Sequence, residues 1–128
     1  MRTLVVTRRL LNPGTFSFPP SVTVKRDRAI DRLVAAICAL PAEPIGVRSC
    51  PIDVGPTYRL VFTTVDGRVA KVVTDPTGCA TASSPSHSIG TRGFGVRETE
   101  PRFWRALGVA VGVKGATRQT FVGRSGPS

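Results

Sequence analysis

The stretch from Cys50 to Cys79, C-P-I-D-V-G-P-T-Y-R-L-V-F-T-T-V-D-G-R-V-A-K-V-V-T-D-P-T-G-C, leaves little choice of local fold. Two runs rich in Val, Thr, Tyr and Phe, Tyr58–Val65 and Arg68–Thr74, meet at Asp66-Gly67. Those residue types suit a pleated surface. Asp-Gly tolerates the positive φ that a two-residue type I′ turn asks of both central positions. The spacing predicts a β-hairpin in which Val65 pairs with Arg68, so that Phe62 faces Lys71, Val61 faces Val72 and Leu60 faces Val73. In that register Leu60, Phe62, Val69 and Val73 share one face, and Val61, Val65, Ala70 and Val72 the other. Neither face is fully polar, and two strands alone are marginal in water. The hairpin is expected inside a larger sheet.

A cysteine stands just outside each end of the hairpin, where strand pairing would bring the two together. The expectation is a Cys50–Cys79 disulfide, which in the chain-entropy model stabilises by about 3–4 kcal/mol for a loop of this length. Two reduced structural thiols are the alternative. Cys38 falls on or beside an apolar helical face and reads as a small buried hydrophobe rather than a nucleophile. With no C-x-x-C and a single His, a metal site is not expected.

Elsewhere the patterns are shorter. Thr3–Leu10 alternates weakly, as a strand does. After the Asn12-Pro13-Gly14 turn, Thr15–Phe18 reads as extended, with Phe16 and Phe18 pointing the same way. Pro19-Pro20 breaks it, and Ser21–Lys25 gives a third strand with Val22 and Val24 inward. Asp27 is placed as a helix N-cap with Asp31 in the first turn. Ile30, Leu33, Val34, Ile37 and Leu40 follow at helical spacing until Pro41. A Pro-punctuated connection fills residues 41–57. Beyond the hairpin, Asp75-Pro76-Thr77-Gly78 is a turn, Cys79–Ser83 can add a strand, and Ser83–Gly95 is a Ser/Gly-rich loop. Thr99 precedes a second helix with Pro101 in its first turn. Phe103, Trp104, Leu107 and Val111 form its apolar side, and Gly108 and Gly112 weaken its far end. From Lys114 the chain is polar and reads as frayed.

These 128 residues are one-domain length, divided here into an α+β domain over 1–112 and a flexible C-terminal tail over 113–128. The fold class is α+β: a mainly antiparallel sheet of four to six strands with two helices packed on it. The longest uninterrupted apolar run, Leu33–Leu40, is far short of a membrane span, and no signal peptide is visible at the start.

The net charge is +10, carried by Arg far more than Lys; residues 1–40 and 81–128 each hold a net +5, while 41–80 is neutral. Arg8, Arg9, Lys25, Arg26, Arg28 and Arg32 could form a patch near Phe16 and Phe18, but no nucleic-acid motif accompanies them. Weak, non-specific nucleic-acid binding is all that such charge implies.

Catalytic constellations are thin. His87 lies among Ser84, Ser86 and Ser88, and Asp75 or Asp53 could complete a triad. Yet the loop offers no rigid base, and no G-x-S-x-G elbow is present. Asp66 and the other aspartates sit at turns or helix starts, and Glu98 and Glu100 look like helix-start acids. G-T-R-G-F-G at 90–95 lacks the G-K-[ST] ending of a phosphate loop. Trp104 could stack a ligand, but its spacing with Leu107 suits a core. No catalytic residue, cofactor or metal ligand is assigned.

The strings A-I-C-A-L-P at 36–41, C-P-I-D-V-G-P-T-Y-R-L-V-F at 50–62, T-D-P-T-G-C at 74–79 and F-W-R-A-L-G at 103–108, with F-S-F-P-P-S-V-T-V at 16–24, resemble a group of uncharacterised exported or lipid-anchored proteins of high-GC Gram-positive (actinobacterial) bacteria. The resemblance spans residues 16–112. It implies an extracytoplasmic location and no particular activity, although the lipid-attachment cysteine of that group has no counterpart at the start of this sequence. The functional expectation is a non-enzymatic extracytoplasmic domain, structural or partner-binding, with a protein or cell-envelope partner. The alternative is a basic nucleic-acid or polyanion-binding protein.

Overall fold

A computed structural model describes residues 3–10, 14–41, 55–77, 81–83 and 97–125. These form strands β1 (Thr3–Arg9), β2 (Gly14–Thr15) and β3 (Ser21–Val24), helix α1 (Asp27–Cys38), strands β4 (Thr57–Thr63), β5 (Val69–Thr74), β6 (Thr81–Ser83) and β7 (Arg97–Glu98), helices α2 (Pro101–Val111) and α3 (Arg118–Val122), and strand β8 (Arg124–Ser125). Six strands make one antiparallel sheet in the order β3-β1-β4-β5-β6-β7, and β2 pairs with β8 in a separate two-stranded sheet. The α+β expectation holds.

Alternation along the strands divides the large sheet into two faces. Leu4, Val6, Val24, Tyr58, Leu60, Val72, Thr74 and Ala82 are buried on one. Ala29, Ile30, Leu33, Ala36 and Ile37 of α1 and Phe103, Trp104, Leu107 and Val111 of α2 close over them in a single core. Thr74 is the buried polar residue of that core, and its hydroxyl donates to the Thr81 carbonyl at 2.9 Å.

The hairpin exists, but its register differs from the expected one by a residue. Thr63 faces Val69, Phe62 faces Ala70, Val61 faces Lys71 and Leu60 faces Val72. The connection holds three residues, 65–67, rather than two. The Thr64 N–H donates to the Arg68 carbonyl at 2.9 Å, and the Gly67 N–H to the Thr64 carbonyl at 3.1 Å. Only Gly67 needs positive φ, at 85°, as in hairpins closed by a left-handed glycine bulge. The Thr64 hydroxyl donates to Asp66, and Arg68 bridges the same carboxylate at 3.2 Å. That extra loop residue moves Val72 inward beside Leu60 and turns Val69 and Val73 outward.

Helix starts also shift. Arg26 is the α1 N-cap and Asp27 its first helical residue. Glu100 caps α2 with Pro101 at its first turn, and no side-chain capping bond forms. The end of α2 is a built stop rather than a weak one. Gly112 has φ 92°, its N–H donates to Val109 at 3.2 Å, and the Val113 N–H donates to Gly108 at 2.7 Å. This is the paired-bond pattern of a Schellman cap.

Residues 113–125 are not a loose tail. Thr117 opens α3 with a reciprocal capping box to Thr120. Phe121 is fully buried against Trp104, Tyr58 and Phe18, with ring centroids 5.3 Å from each. The polar composition of the segment conceals one aromatic anchor.

Candidate functional site

Several sequence-level candidates lie outside the described residues: Cys50 and Cys79, Asp53, His87 with its serines, and the glycine-rich run at 90–95. Cys38 ends α1 and is exposed, contrary to the buried position expected. It follows Ile37 round the helix, just past the edge of the apolar stripe. Asp75 accepts a 2.8 Å hydrogen bond from the Thr57 hydroxyl, a strand-end contact. Glu98 belongs to β7, and its N–H donates to the Pro41 carbonyl at 3.0 Å. Among the described residues, no cluster of His, Cys, Asp or Glu is arranged to hold a metal ion, and no helix is long and apolar enough to cross a membrane.

The six cations that could have formed one patch are dispersed. Arg8 lies on the core side of β1, directly across from Tyr58. Its guanidinium carbon stands 3.7 Å from the Phe16 ring centroid and 4.9 Å from that of Phe18, and Nη1 donates to the Phe18 carbonyl at 3.2 Å. Its Nε is buried with no hydrogen-bond partner among the described residues; stacking on two ring faces offsets part of that cost. Arg26 donates to the Val109 carbonyl at 2.9 Å and ties the start of α1 to α2. Lys25, Arg28 and Arg32 are exposed near the start of α1. Arg9 lies at the far end of β1 from Leu4, which pairs with Val24, about 17 Å along the strand at ~3.4 Å per residue. Phe18 is buried and Phe16 packs against the core, so neither is presented to a base.

Two surfaces among the described residues bear on ligand binding. The first is the sheet face opposite the helices. Thr7 and Val73 flank Arg59 across the strands, and Val5 and Lys71 flank Val61. Arg59 and Lys71 are exposed, while Val5, Val61 and Val73 are half-buried among their neighbours. The face ends at the hairpin tip, where Val65 is 75% and Val69 56% exposed. It is a β-branched surface with cations set into it. Sequence reading missed it because the expected hairpin register placed Val61 and Val72 together.

The second is a cleft of about 700 Å³ between the start of α2 and the segment leading into α3. Glu98 and Glu100 contribute acids, Arg105 and Arg118 contribute bases, and Trp104 and Ala116 lie at its base. Trp104 is 2% exposed and offers little more than an edge. The cleft exists because the Schellman cap returns the chain against α2. Ala116 reaches Gly108 so closely that a Cβ there would stand 2.2 Å from the Ala116 Cβ. Sequence reading noted Glu98, Glu100 and Trp104 but had no means of bringing residues 115–119 to them.

No family model matches the chain, and no curated protein or solved structure matches it either.

Proposed function

We propose that the protein is a non-enzymatic extracytoplasmic domain that binds a protein or cell-envelope partner through the face of its sheet opposite α1 and α2. The observation that carries this reading is the asymmetry of the sheet. Among the described residues, α1, α2 and the apolar core occupy one face, while the other holds Val5, Val61 and Val73 half-buried beside exposed Arg59 and Lys71. Rigid strands hold such a surface at little entropic cost on binding. The location rests on the resemblance to exported and lipid-anchored proteins.

The test compares the parent with Arg59→Glu/Lys71→Glu as baits in cell-envelope extracts. Both positions are exposed, so the fold survives the change. The reading expects a partner retained by the parent and lost by the charge reversal. A partner held equally by both refutes the assigned face.

The cations on that face support a second reading, a polyanion binder. Purpose-built single-strand binders add aromatic platforms worth about 1–3 kcal/mol per base, and the aromatic residues here are spent in the core. Affinity for a random oligonucleotide is therefore expected in the non-specific range of about 10⁻⁴–10⁻⁶ M at physiological salt, falling steeply as salt rises. Fluorescence anisotropy measures it. Nanomolar binding that survives physiological salt would favour the second reading over the first.

A further inference from the structure

We propose that the outer edge of β3 is a docking site for an extended, acid-bearing segment of a partner protein, added antiparallel as one more strand. The site is the edge of the sheet, not its face, and does not rest on the reading above.

The six-stranded sheet ends on β7 at one side and on β3 at the other. The two edges differ. β7 has two residues, and the Glu98 N–H there is taken by the Pro41 carbonyl. β3 has four, Ser21–Val24, with no proline and no charge inside it. Its register on β1 decides which backbone groups point outward. The Arg8 N–H donates to the Pro20 carbonyl at 2.8 Å, which makes Arg8 and Pro20 a hydrogen-bonded pair. Bonded and non-bonded pairs alternate along an antiparallel ladder. The next bonded pairs are therefore Val6 with Val22 and Leu4 with Val24. Ser21 and Thr23 fall between them and turn their N–H and C=O groups away from β1. Among the described residues, nothing bonds to those four groups.

Such a row is a template for another strand. In strand addition the main-chain bonds supply affinity and alternate side chains supply specificity. Residues set opposite Ser21 and Thr23 share their exposed side of the sheet. The residues between them fall on the side of half-buried Val22 and buried Val24. A fitting segment thus alternates small polar with β-branched apolar residues.

Charge selects the rest. Lys25 follows the strand directly, and Arg28 and Arg32 share one face of α1 at a spacing of one turn. All three are exposed, and among the described residues none of the three is in an ion pair. Arg26 is engaged on the Val109 carbonyl. Asp27 and Asp31 offset part of the charge, leaving four cations against two acids over residues 25–32, a net +2. This end of the edge favours carboxylates, and antiparallel addition brings the N-terminal end of the segment to it. A second copy of this chain would bring its own +10 instead, the wrong complement.

The experiment is an amide NMR titration of the full chain with a synthetic peptide, acetylated and amidated, that begins with two glutamates and then alternates threonine and valine. The expected result is a saturable shift of the Ser21 and Thr23 amides, with hydrogen exchange slowed at both. The threonines of the peptide lie opposite Ser21 and Thr23, so N-methylating them should abolish the shift, while N-methylating the valines should leave it. Glutamine in place of the glutamates should weaken binding about tenfold. Lys25→Glu/Arg28→Glu, on two exposed side chains, should weaken the glutamate peptide to the same extent and leave the glutamine peptide unchanged. Thr23→Pro removes an outward N–H, where edge strands accept proline, and should abolish binding with the remaining spectrum kept. No shift at Ser21 and Thr23, equal effects of the two methylation patterns, or equal binding of the glutamate and glutamine peptides would each overturn the proposal. So would shifts at Ser21 and Thr23 that grow with protein concentration alone, the mark of a second copy at the edge. Shifts confined to Arg59 and Lys71 would overturn it and leave the sheet-face reading standing. None of the other outcomes bears on that reading.

Discussion

Tyr58 spends its hydroxyl inside the protein. It donates to the Phe121 carbonyl at 2.7 Å from a fully buried position. Burial pushes the phenol well above its ordinary value of about 10, and the neighbouring Arg8 guanidinium opposes only part of that rise. The neutral phenol is thus favoured by the folded state. Stability from this group is complete below about pH 10 and declines as pH climbs through the unfolded value toward the raised one. Tyr58 is the only tyrosine in the chain, so phenolate absorbance reports it alone. That absorbance should rise together with unfolding, not before it. Tyr58→Phe should flatten the alkaline decline while lowering neutral stability by about 1–3 kcal/mol, since a buried carbonyl loses its donor. Gly108 offers a second residue-scale check. Alanine in a helix interior normally gains about 0.5–1 kcal/mol over glycine. Here the added methyl would overlap Ala116, and overpacking costs about 1–3 kcal/mol. Gly108→Ala should therefore lower the urea midpoint, and Ala116→Gly in the same chain should restore part of the loss.

At the scale of elements, the hairpin and the C-terminal helix each carry a prediction. Gly67→Val should cost about 1–2 kcal/mol, the penalty of a left-handed backbone on a side-chain-bearing residue. If urea midpoints of parent and variant coincide, the left-handed bulge is misplaced. Phe121→Ala should cost about 3–5 kcal/mol, as for other large buried aromatics, and should blue- or red-shift the emission of the neighbouring Trp104. An unchanged midpoint would mean that residues 118–122 are detached from the core. These elements also show what a sequence reveals. α1 was legible because Ile30, Leu33 and Ile37 repeat over several turns. The hairpin was legible as a hairpin, but its register hung on whether Val65 belonged to the strand or the loop, and β-propensity favours the strand. α3 has five residues and one buried aromatic, too short for any period to register. β7 and β8 hold two residues each and have no pattern at all. The cleft inherits this blindness, since half of it comes from residues 115–119.

For the molecule as a whole, the proposed extracytoplasmic location has a chemical signature. Non-reducing peptide mapping of protein isolated with thiols blocked should find Cys50 joined to Cys79. A bond from Cys38 to either, or three reduced thiols after oxidative isolation, would contradict the pairing. Charge offers less. Arg8 is half-buried and stacked on the Phe16 and Phe18 rings, so the formal +10 slightly overstates the cationic surface available to a partner.

Phe121 also fixes an order of events during synthesis. The phenol of Tyr58, the ring of Phe18 and the indole of Trp104 all pack against a side chain translated after every one of them. Until residues 118–122 leave the ribosome, the sheet and both long helices can assemble only around a missing ring, with a phenol hydroxyl still seeking its acceptor. A growing chain of this protein thus carries exposed aromatic surface until residues 118–122 are made, and α3 is the piece that takes it out of reach of chaperones and of neighbouring nascent chains.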